Sequence, residues 1–219
     1  MDNTNIPPEP VKDCTLCPRL VAFRQESAAA NPDWFNGAVP SFGPDSARLL
    51  IVGLAPGLKG ANRTGRPFTG DYAGDLLYPT LLKYGFASGL YDSHPDDGLQ
   101  MEDAMITNAV RCVPPQNKPT AAEATACRPF LVSRMAALPK LAVIIALGRI
   151  AHDAVLRSFG CKLSAHKFGH NAAHDLTLAD GRTVMMIDSY HCSRYNTNTG
   201  RLTEQMFHDV FETARSYFD

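Results

Sequence analysis

A glycine-rich segment, residues 53–71, combines the residue types that bind a nucleotide. It follows the apolar run Leu49–Val52, which predicts a short buried strand. Five glycines and two prolines exclude an ordinary helix or strand, so the segment must be a loop with unusual backbone dihedrals. It contains an aromatic ring (Phe68), a carboxylate (Asp71) and the cations Lys59, Arg63 and Arg66. Cations, one acid and a flat ring suit a ligand with a phosphate and a planar group, and a nucleotide has both.

The cysteines form a second group that could do chemistry. Cys14 and Cys17 make a C-x2-C pair, and Cys112 and Cys127 are separated by fourteen residues. Two such pairs, brought together by the fold, can hold zinc or a [4Fe–4S] cluster. The wide second pair differs from the tight pairs of most zinc ribbons and favours iron–sulfur, with four unrelated buried cysteines as the alternative. The other two cysteines, Cys161 and Cys192, have no such spacing.

The elements that must position these residues alternate between strand and helix. Four short apolar segments are predicted strands: 48–52, 104–110, 142–147 and 183–188. Five segments are predicted helices: 17–30, 71–84, 120–138, 149–159 and 203–217. This alternation predicts one three-layer α/β domain over residues 1–219. Residues 1–13, with three prolines, are predicted to be a flexible or extended lead-in.

Three of the predicted strands end in loops that contain side chains able to bind a ligand or take part in catalysis. The first ends in the glycine-rich loop, the second in residues 108–117, and the fourth in residues 189–202. The third ends at Gly148 in an ordinary strand-to-helix turn. Because ligands bind at the carboxyl ends of parallel strands, the three loops are predicted to build one site.

Composition limits the class of protein. The chain has 219 residues, of which 45% are hydrophobic and 20% charged, as in an ordinary globular protein. A net charge of −1 gives no global signal for nucleic acid, although a local basic stripe is sufficient. No apolar stretch approaches the ~20 residues of a membrane span. The N-terminus lacks the basic and hydrophobic segments of a secretory signal, which predicts a cytoplasmic protein without a disulfide framework.

Taken together, the motifs resemble those of the uracil-DNA glycosylase superfamily, and specifically its type B branch (family 5). The resemblance rests on four segments and on the four cysteines at 14, 17, 112 and 127. The segments are Gly53-Leu-Ala-Pro-Gly57, Gly60-Ala-Asn-Arg-Thr-Gly-Arg-Pro-Phe-Thr-Gly-Asp71, Thr107-Asn-Ala-Val-Arg-Cys112 and His191-Cys-Ser-Arg-Tyr-Asn-Thr-Asn-Thr-Gly-Arg-Leu202. They occur in the family's order over nearly the whole chain.

The resemblance implies a fold, a reaction and a cofactor. The fold is a three-layer α/β/α arrangement around a four-stranded parallel sheet. The reaction is hydrolysis of the N-glycosidic bond of a damaged base that has been flipped out of DNA. The cofactor is a [4Fe–4S] cluster on the four cysteines. The expected protein is a monomer in the cytoplasm, associated with the nucleoid and with damaged DNA, duplex or single-stranded.

The resemblance also assigns roles within the pocket. Phe68 would stack on the flipped base, Asn108 would bond the base edge, and His191 would stabilise negative charge on a base oxygen. Gly53 and Ala55 would complete the base-binding surface. The family's type B branch gives the water-positioning role to the aspartate that here is Asp71. Asp71 can equally be a helix N-cap, and Asp75, one turn further on, is a weaker alternative for the water.

Basic loop residues would contact DNA phosphates without reading sequence. The candidates are Lys59, Arg63, Arg66, Arg111, Arg194 and Arg201. Residues Arg194, Tyr195 and Asn196 lie where relatives insert a wedge into the duplex. Cys192 stands where the superfamily usually has proline after the histidine, which loosens the backbone beside His191.

The expected substrate is uracil first. Deaminated purines such as hypoxanthine come next, because Leu54 and Ala55 leave room for a larger base. The enzyme is expected to be monofunctional, because no lysine other than Lys59 lies in the motif loops. The main alternative is a non-catalytic iron–sulfur module that binds DNA. An electron-transfer protein is a third and weaker alternative.

Overall fold

The computed structural model describes residues 7–218, which form a central sheet with helices on both faces. The strands are β1 (Leu49–Gly53), β2 (Ala87–Ser88), β3 (Gln100–Met101), β4 (Ala104–Asn108), β5 (Val143–Leu147), β6 (Ala173–Thr177) and β7 (Thr183–Ser189). The α-helices are α1 (Pro18–Ala30), α2 (Ala61–Thr64), α3 (Tyr72–Lys83), α4 (Ala121–Ala136), α5 (Arg149–Ser158), α6 (Arg194–Asn198) and α7 (Glu204–Arg215). Short 3₁₀ turns occur at Pro115–Asn117 and Leu163–Ala165.

The central sheet has the strand order β4-β1-β5-β7-β6. The first four of these strands are parallel, and they are the four predicted from sequence. Strand β6 pairs with β7 in the antiparallel direction at the edge of the sheet, and it was not predicted. Only Leu176 of its five residues is fully buried, so β6 lacks the apolar run that marks the other strands.

Alternate residues of β1 face the two sides of the sheet. Leu49 and Ile51 belong to the apolar core that α3 and α7 cover. Leu50 and Val52 belong to the core on the opposite face, which includes residues of α4 and α5. This period of two places one helical layer on each face and confirms the predicted three-layer α/β/α fold.

The segment before α1 is anchored where the structure describes it. The Glu9 carboxylate lies 2.7 Å from Arg111 Nη1 and 2.7 Å from Arg134 Nη2, and both arginines are buried. The Arg24 guanidinium donates to the carbonyls of Lys12 and Cys14. Residues 7–13 form no helix or strand, which is compatible with the extended form of the predicted lead-in, and these contacts tie them to the fold. Residues 1–6 lie outside the described part.

None of the helices within residues 7–218 has the length and apolar character of a membrane span.

Candidate active site

The three chemically distinctive loops meet around one cavity of about 610 Å³ at the carboxyl edge of the sheet. This volume lies within the range of small-molecule sites, which runs from about 300 to 1,000 Å³. The lining residues from the predicted site are Ala55, Lys59, Phe68, Asp71, Asn108, His191 and Arg194, joined by Leu54, Tyr72 and Asn117. The parallel strand directions thus bring together side chains that are up to 140 residues apart in sequence.

Phe68 and Asn108 are packed tightly above Gly53, at the end of β1. A Cβ atom on Gly53 would lie 2.6 Å from Phe68 Cζ and would also clash with Asn108 Oδ1, so only glycine fits there. Phe68 itself has a φ of 54°, a left-handed conformation that a bulky residue rarely adopts. Such strain is typical of functional sites.

Asn108 carries an unused hydrogen-bond acceptor. The residue is 3% exposed, and Oδ1 has no hydrogen-bond partner among residues 7–218. A buried acceptor without a partner costs about 1–3 kcal/mol, so it indicates a ligand that would donate to it.

His191 stands across the cavity from Phe68. The two ring centroids are 6.1 Å apart, with planes 29° from parallel. The backbone of His191 is held by Asn196, whose Nδ2 donates to the His191 carbonyl at 2.8 Å. Within the described residues, neither ring nitrogen of His191 has a hydrogen-bond partner. Burial lowers the pKa of His191 to about 4, so the imidazole is neutral at physiological pH and keeps one N–H to donate.

This low pKa leads to a pH prediction. Above pH 6.5 His191 is neutral in both the folded and the unfolded state. As pH falls from about 6.5 towards 4, the unfolded chain binds a proton that the folded protein does not, and the free energy of unfolding decreases by up to about 3 kcal/mol. We expect the His191 Cε1–H resonance, identified by its absence in His191→Ala, to titrate near pH 4. A midpoint at or above pH 6 would contradict a buried neutral imidazole.

Asp71 is both a helix cap and a wall of the cavity. Its Oδ1 accepts hydrogen bonds from the backbone N–H groups of Ala73 and Gly74, at 3.1 and 3.3 Å, as the N-cap of α3. The rest of the carboxyl packs against the glycine-rich loop, since a Cβ on Gly60 would lie 2.9 Å from Asp71 Cγ. Burial raises the pKa of Asp71, opposed by the two N–H bonds. Asp75 is exposed and does not line the cavity.

Cys192 is buried among apolar residues. It is 0% exposed and belongs to the core on the α3 side of the sheet, and burial raises the pKa of its thiol. A thiol in that environment is protonated and unreactive. The hydrogen bond from Asn196 Nδ2 to the His191 carbonyl restrains the backbone next to Cys192.

The cations predicted to contact DNA fall into two groups. Lys59, Arg63, Arg194 and Arg201 are exposed, and Tyr195 on α6 is 72% exposed. Of the four cations, Lys59 and Arg194 line the cavity, and Arg201 lines a neighbouring pocket that also includes His191. The Arg194 guanidinium lies 5.0 Å from the centroid of the Tyr72 ring, and that of Arg201 lies 4.8 Å from the Tyr190 centroid. Asn196, also predicted to contact DNA, donates from its amide to the His191 carbonyl, and its contact with DNA stays a prediction.

Arg66 and Arg111 do not face solvent, which corrects the prediction that they bind phosphates. Arg66 is 4% exposed and forms a two-point ion pair with Asp97, at 2.8 and 2.7 Å. Its guanidinium holds the pKa of Asp97 well below the usual range. Arg111 is 1% exposed and pairs with Glu9. Both arginines are committed to partners distant in sequence.

We expect Arg66→Ala to lower stability and Arg194→Ala to weaken DNA binding. Losing Arg66 leaves Asp97 buried without its partner, so the free energy of unfolding should fall by about 3–5 kcal/mol. Losing Arg194 should leave stability within about 0.5 kcal/mol but reduce the salt dependence of DNA binding by about one phosphate contact. Urea unfolding and DNA affinity measured against salt concentration separate the two. An Arg66→Ala variant that is as stable as wild type and loses as much DNA affinity as Arg194→Ala would contradict the assignment of Arg66 to a buried ion pair.

The four paired cysteines converge between α1, α4 and the loop after β4. All four are free thiols, and they line a small common cavity of about 10 Å³. Burial raises the pKa of Cys112 to about 12 and that of Cys127 to about 11, so a metal would have to displace their protons. The backbone N–H of Arg111 donates to Cys127 Sγ at 3.3 Å.

Sequence reasoning missed three residues of the cavity and its surroundings. Tyr72 lies under Arg194, and its hydroxyl oxygen accepts a hydrogen bond from Thr197 Oγ1 at 3.1 Å, which joins α3 to α6. Asn117 lines the cavity from the loop after β4 with a φ of 55°. Gly148 has a φ of 90°, and a Cβ there would lie 3.3 Å from His191 Cβ. The predicted turn at Gly148 therefore also makes room for His191.

Comparison with known proteins gives the family. Residues 40–215 match the model of the uracil DNA glycosylase superfamily. The chain is 47% identical over 208 residues to a Type-5 uracil-DNA glycosylase of Thermus thermophilus, with 92% of each chain covered. It is 37% identical over 206 residues to a Type-5 uracil-DNA glycosylase of Pyrobaculum aerophilum, covering 92% of this chain and 88% of the relative. A Type-4 uracil-DNA glycosylase of Saccharolobus solfataricus is 27% identical over 219 residues, covering 99% and 88%. The resemblance seen in the motifs is confirmed, and the chain belongs to the uracil-DNA glycosylase superfamily.

Proposed function

We propose that this protein is a monofunctional uracil-DNA glycosylase of base excision repair. The observation that carries the proposal is the single cavity lined by Phe68, Asp71, Asn108 and His191. One flat ring, one amide, one neutral imidazole and one carboxylate are what hydrolysis of a flipped nucleotide needs. The chain acts as one domain and as a monomer, on duplex or single-stranded DNA.

Asn108 supplies the base specificity. Its unpartnered Oδ1 accepts a hydrogen bond, so it suits a base that carries an N–H donor next to a carbonyl. Uracil presents N3–H beside O4, and hypoxanthine presents N1–H beside O6 in the same order. Cytosine and adenine present the reverse order, an acceptor beside an amino group. The amide therefore selects deaminated bases of either size, and the small side chain of Ala55 leaves room for the purine.

His191 and Asp71 perform the two halves of the reaction. As the bond between C1′ and the base nitrogen breaks, its electron pair passes to the base. The neutral His191 imidazole donates its N–H to the base oxygen on which charge accumulates. Asp71 orients a water molecule towards C1′ and accepts its proton as the new C–O bond forms. That proton then passes to the departing base, so the carboxylate is regenerated.

Exposed basic side chains of the motif loops hold the DNA. Lys59, Arg63, Arg194 and Arg201 contact phosphates, which sets the register without reading sequence. Tyr195, 72% exposed on α6, fills the gap left by the flipped nucleotide. Because α6 also holds the His191 carbonyl through Asn196, insertion of the wedge and positioning of His191 are coupled.

Cys14, Cys17, Cys112 and Cys127 would hold a [4Fe–4S] cluster. The donor set fits, because it consists of four free thiols facing one cavity, with a backbone N–H on Cys127 Sγ. The fourteen residues between Cys112 and Cys127 differ from the tight pairs of most zinc ribbons and favour the cluster. When bound, the cluster would cross-link the N-terminal segment to α4.

The proposed activity is tested with purified protein and oligonucleotides that carry a single uracil, hypoxanthine, cytosine or adenine. Alkali added after the reaction reveals abasic sites. We expect cleavage at uracil, cleavage at hypoxanthine, and none at cytosine or adenine. No cleavage at uracil by protein with a full iron content would overturn the enzyme proposal and leave a DNA-binding iron–sulfur module. Strand cleavage without alkali would overturn the monofunctional assignment.

Iron and sulfide analysis tests the cofactor independently of activity. We expect a brown protein with about four irons per chain. Cys112→Ser should lose most of the iron, and Cys161→Ser, outside the ligand set, should retain it. Stoichiometric zinc in place of iron at the four cysteines would contradict the assignment.

A further inference from the structure

Two histidines and an aspartate meet at a buried point between α5, β6 and β7, away from both the cavity and the four cysteines. Asp188 on β7 is 0% exposed and lies between the two rings. His152 Nδ1 is 2.7 Å from Asp188 Oδ1, and His174 Nε2 is 3.1 Å from Asp188 Oδ2. The possible ligand atoms of the three residues all lie within 4.8 Å of one another.

The hydrogen bonding of His152 indicates that this cluster needs one more positive charge. His152 Nε2 is 3.1 Å from the carbonyl oxygen of His166, which can only accept, so Nε2 must carry a hydrogen. In the neutral ring, Nδ1 is then a lone pair, and it faces a carboxylate oxygen at 2.7 Å. Two acceptors at that distance repel each other unless a positive charge lies between them. Either a second ring proton or a metal ion supplies that charge.

The orientation of His152 is the one that metal-ligating histidines adopt. Such a histidine donates its outer N–H to a carbonyl or carboxylate, which fixes the tautomer and directs the other nitrogen to the metal. The His166 carbonyl performs that role here. Asp188 is itself oriented by an additional bond, from the Gly169 backbone N–H to Oδ2 at 3.3 Å.

We propose that His152, His174 and Asp188 form a structural site for a divalent transition metal, with Zn²⁺ as the expected ion. Two imidazoles and one carboxylate are ordinary zinc ligands, with bonds of about 2.0–2.2 Å. Neighbouring ligand atoms in such a site are about 3.3 Å apart, so the present spacing requires only small side-chain movements. A water molecule would complete the tetrahedron.

The position of the site indicates a structural role for the ion. It would join α5 and the edge strand β6 to β7, the strand that ends just before His191. The segment between α5 and β6 also touches the base of the catalytic loop, because His170 Nδ1 accepts from the Tyr190 backbone N–H at 3.1 Å. An ion at Asp188 would therefore fix the edge of the sheet from which His191 projects.

Elemental analysis of the iron-loaded protein tests the proposal. Wild type is dialysed against ZnCl₂ and then against metal-free buffer, and zinc and iron are measured together. We expect about one zinc per chain in addition to the iron. Zinc should fall at least tenfold in His174→Ala and in His174→Gln, with iron unchanged. Added Zn²⁺ should raise the melting temperature of wild type and leave that of both variants unchanged.

The variants and the control separate the possible results. Glutamine at 174 keeps an amide N–H for Asp188 but does not provide an imidazole ligand, so it preserves the fold if the alanine variant does not. His94→Ala removes an exposed histidine elsewhere and should retain zinc. Wild type with its full iron content but no zinc would overturn the proposal and assign the charge to a second proton on His152. Zinc retained in both His174 variants would also overturn it, because the ion would then lie elsewhere.

Discussion

The His191→Ala variant is expected to release uracil about 100- to 1,000-fold more slowly than wild type. The neutral imidazole, with its pKa lowered to about 4, supplies one N–H to the charge that develops on the base. Its ring nitrogens have no hydrogen-bond partner in residues 7–218, so its removal leaves no protein group unpaired. The loss should therefore appear in the rate of the chemical step, measured under single-turnover conditions, and not in stability.

The exposed His94 provides the matched control. His94→Ala should keep the wild-type rate, and both variants should have melting temperatures within a few degrees of wild type. A His191→Ala variant that retains activity within threefold, with an unchanged melting temperature, would remove His191 from the mechanism. A pure change in DNA affinity would assign it to binding instead.

The Asp71→Asn variant is expected to lose about 100-fold or more of the rate with little change in stability. Asparagine caps a helix about as well as aspartate, so the bonds from the Ala73 and Gly74 N–H groups survive. Asparagine cannot accept the proton of the attacking water. This substitution therefore separates the two roles that one carboxylate holds.

Asp71→Ala and Asp75→Asn complete the test. The alanine variant should lose the same activity and, in addition, about 1 kcal/mol of unfolding free energy from the lost cap. Asp75 is exposed and outside the cavity, so Asp75→Asn should retain nearly full activity. Full activity in Asp71→Asn, with instability only in Asp71→Ala, would make Asp71 a helix cap and nothing more. Burial raises the pKa of Asp71, so the carboxylate takes up a proton at a higher pH than an exposed aspartate does. As the pH is lowered, the wild-type rate should therefore begin to fall at that higher pH.

The local sequence determined most of the architecture. Short apolar runs marked the four parallel strands, because a strand buried on both faces needs no polar residue. Thr120 and Glu123 form a capping box at the start of α4, which is a signal readable from four residues. The glycines and prolines of residues 53–71 indicated a loop after β1, and the structure places one short helix, α2 (Ala61–Thr64), within it. Parallel strands then required the three motif loops to meet at one edge, and they do.

Only the tertiary structure distinguished Arg66 from Arg194. Both are arginines in motif loops, and nothing nearby in sequence separates them. Arg66 is neutralised by Asp97, 31 residues away, whereas Arg194 rests on the Tyr72 ring and stays exposed. A charged side chain is buried where the fold places a partner beside it and stays exposed where it does not. Burying the charge without a partner would cost too much free energy.

The same reason applies to β6 and to the cluster at Asp188. Strand β6 has little apolar character, and its pairing with β7 along the edge decides its conformation. His152 and His174 each lie more than a dozen residues from Asp188, and they reach it because α5 and β6 flank the carboxyl end of β7. The sequence by itself determined which elements form and which loops carry the motifs, since these depend on neighbouring residues. Which distant charges, acceptors and thiols become partners was decided only when the elements packed together.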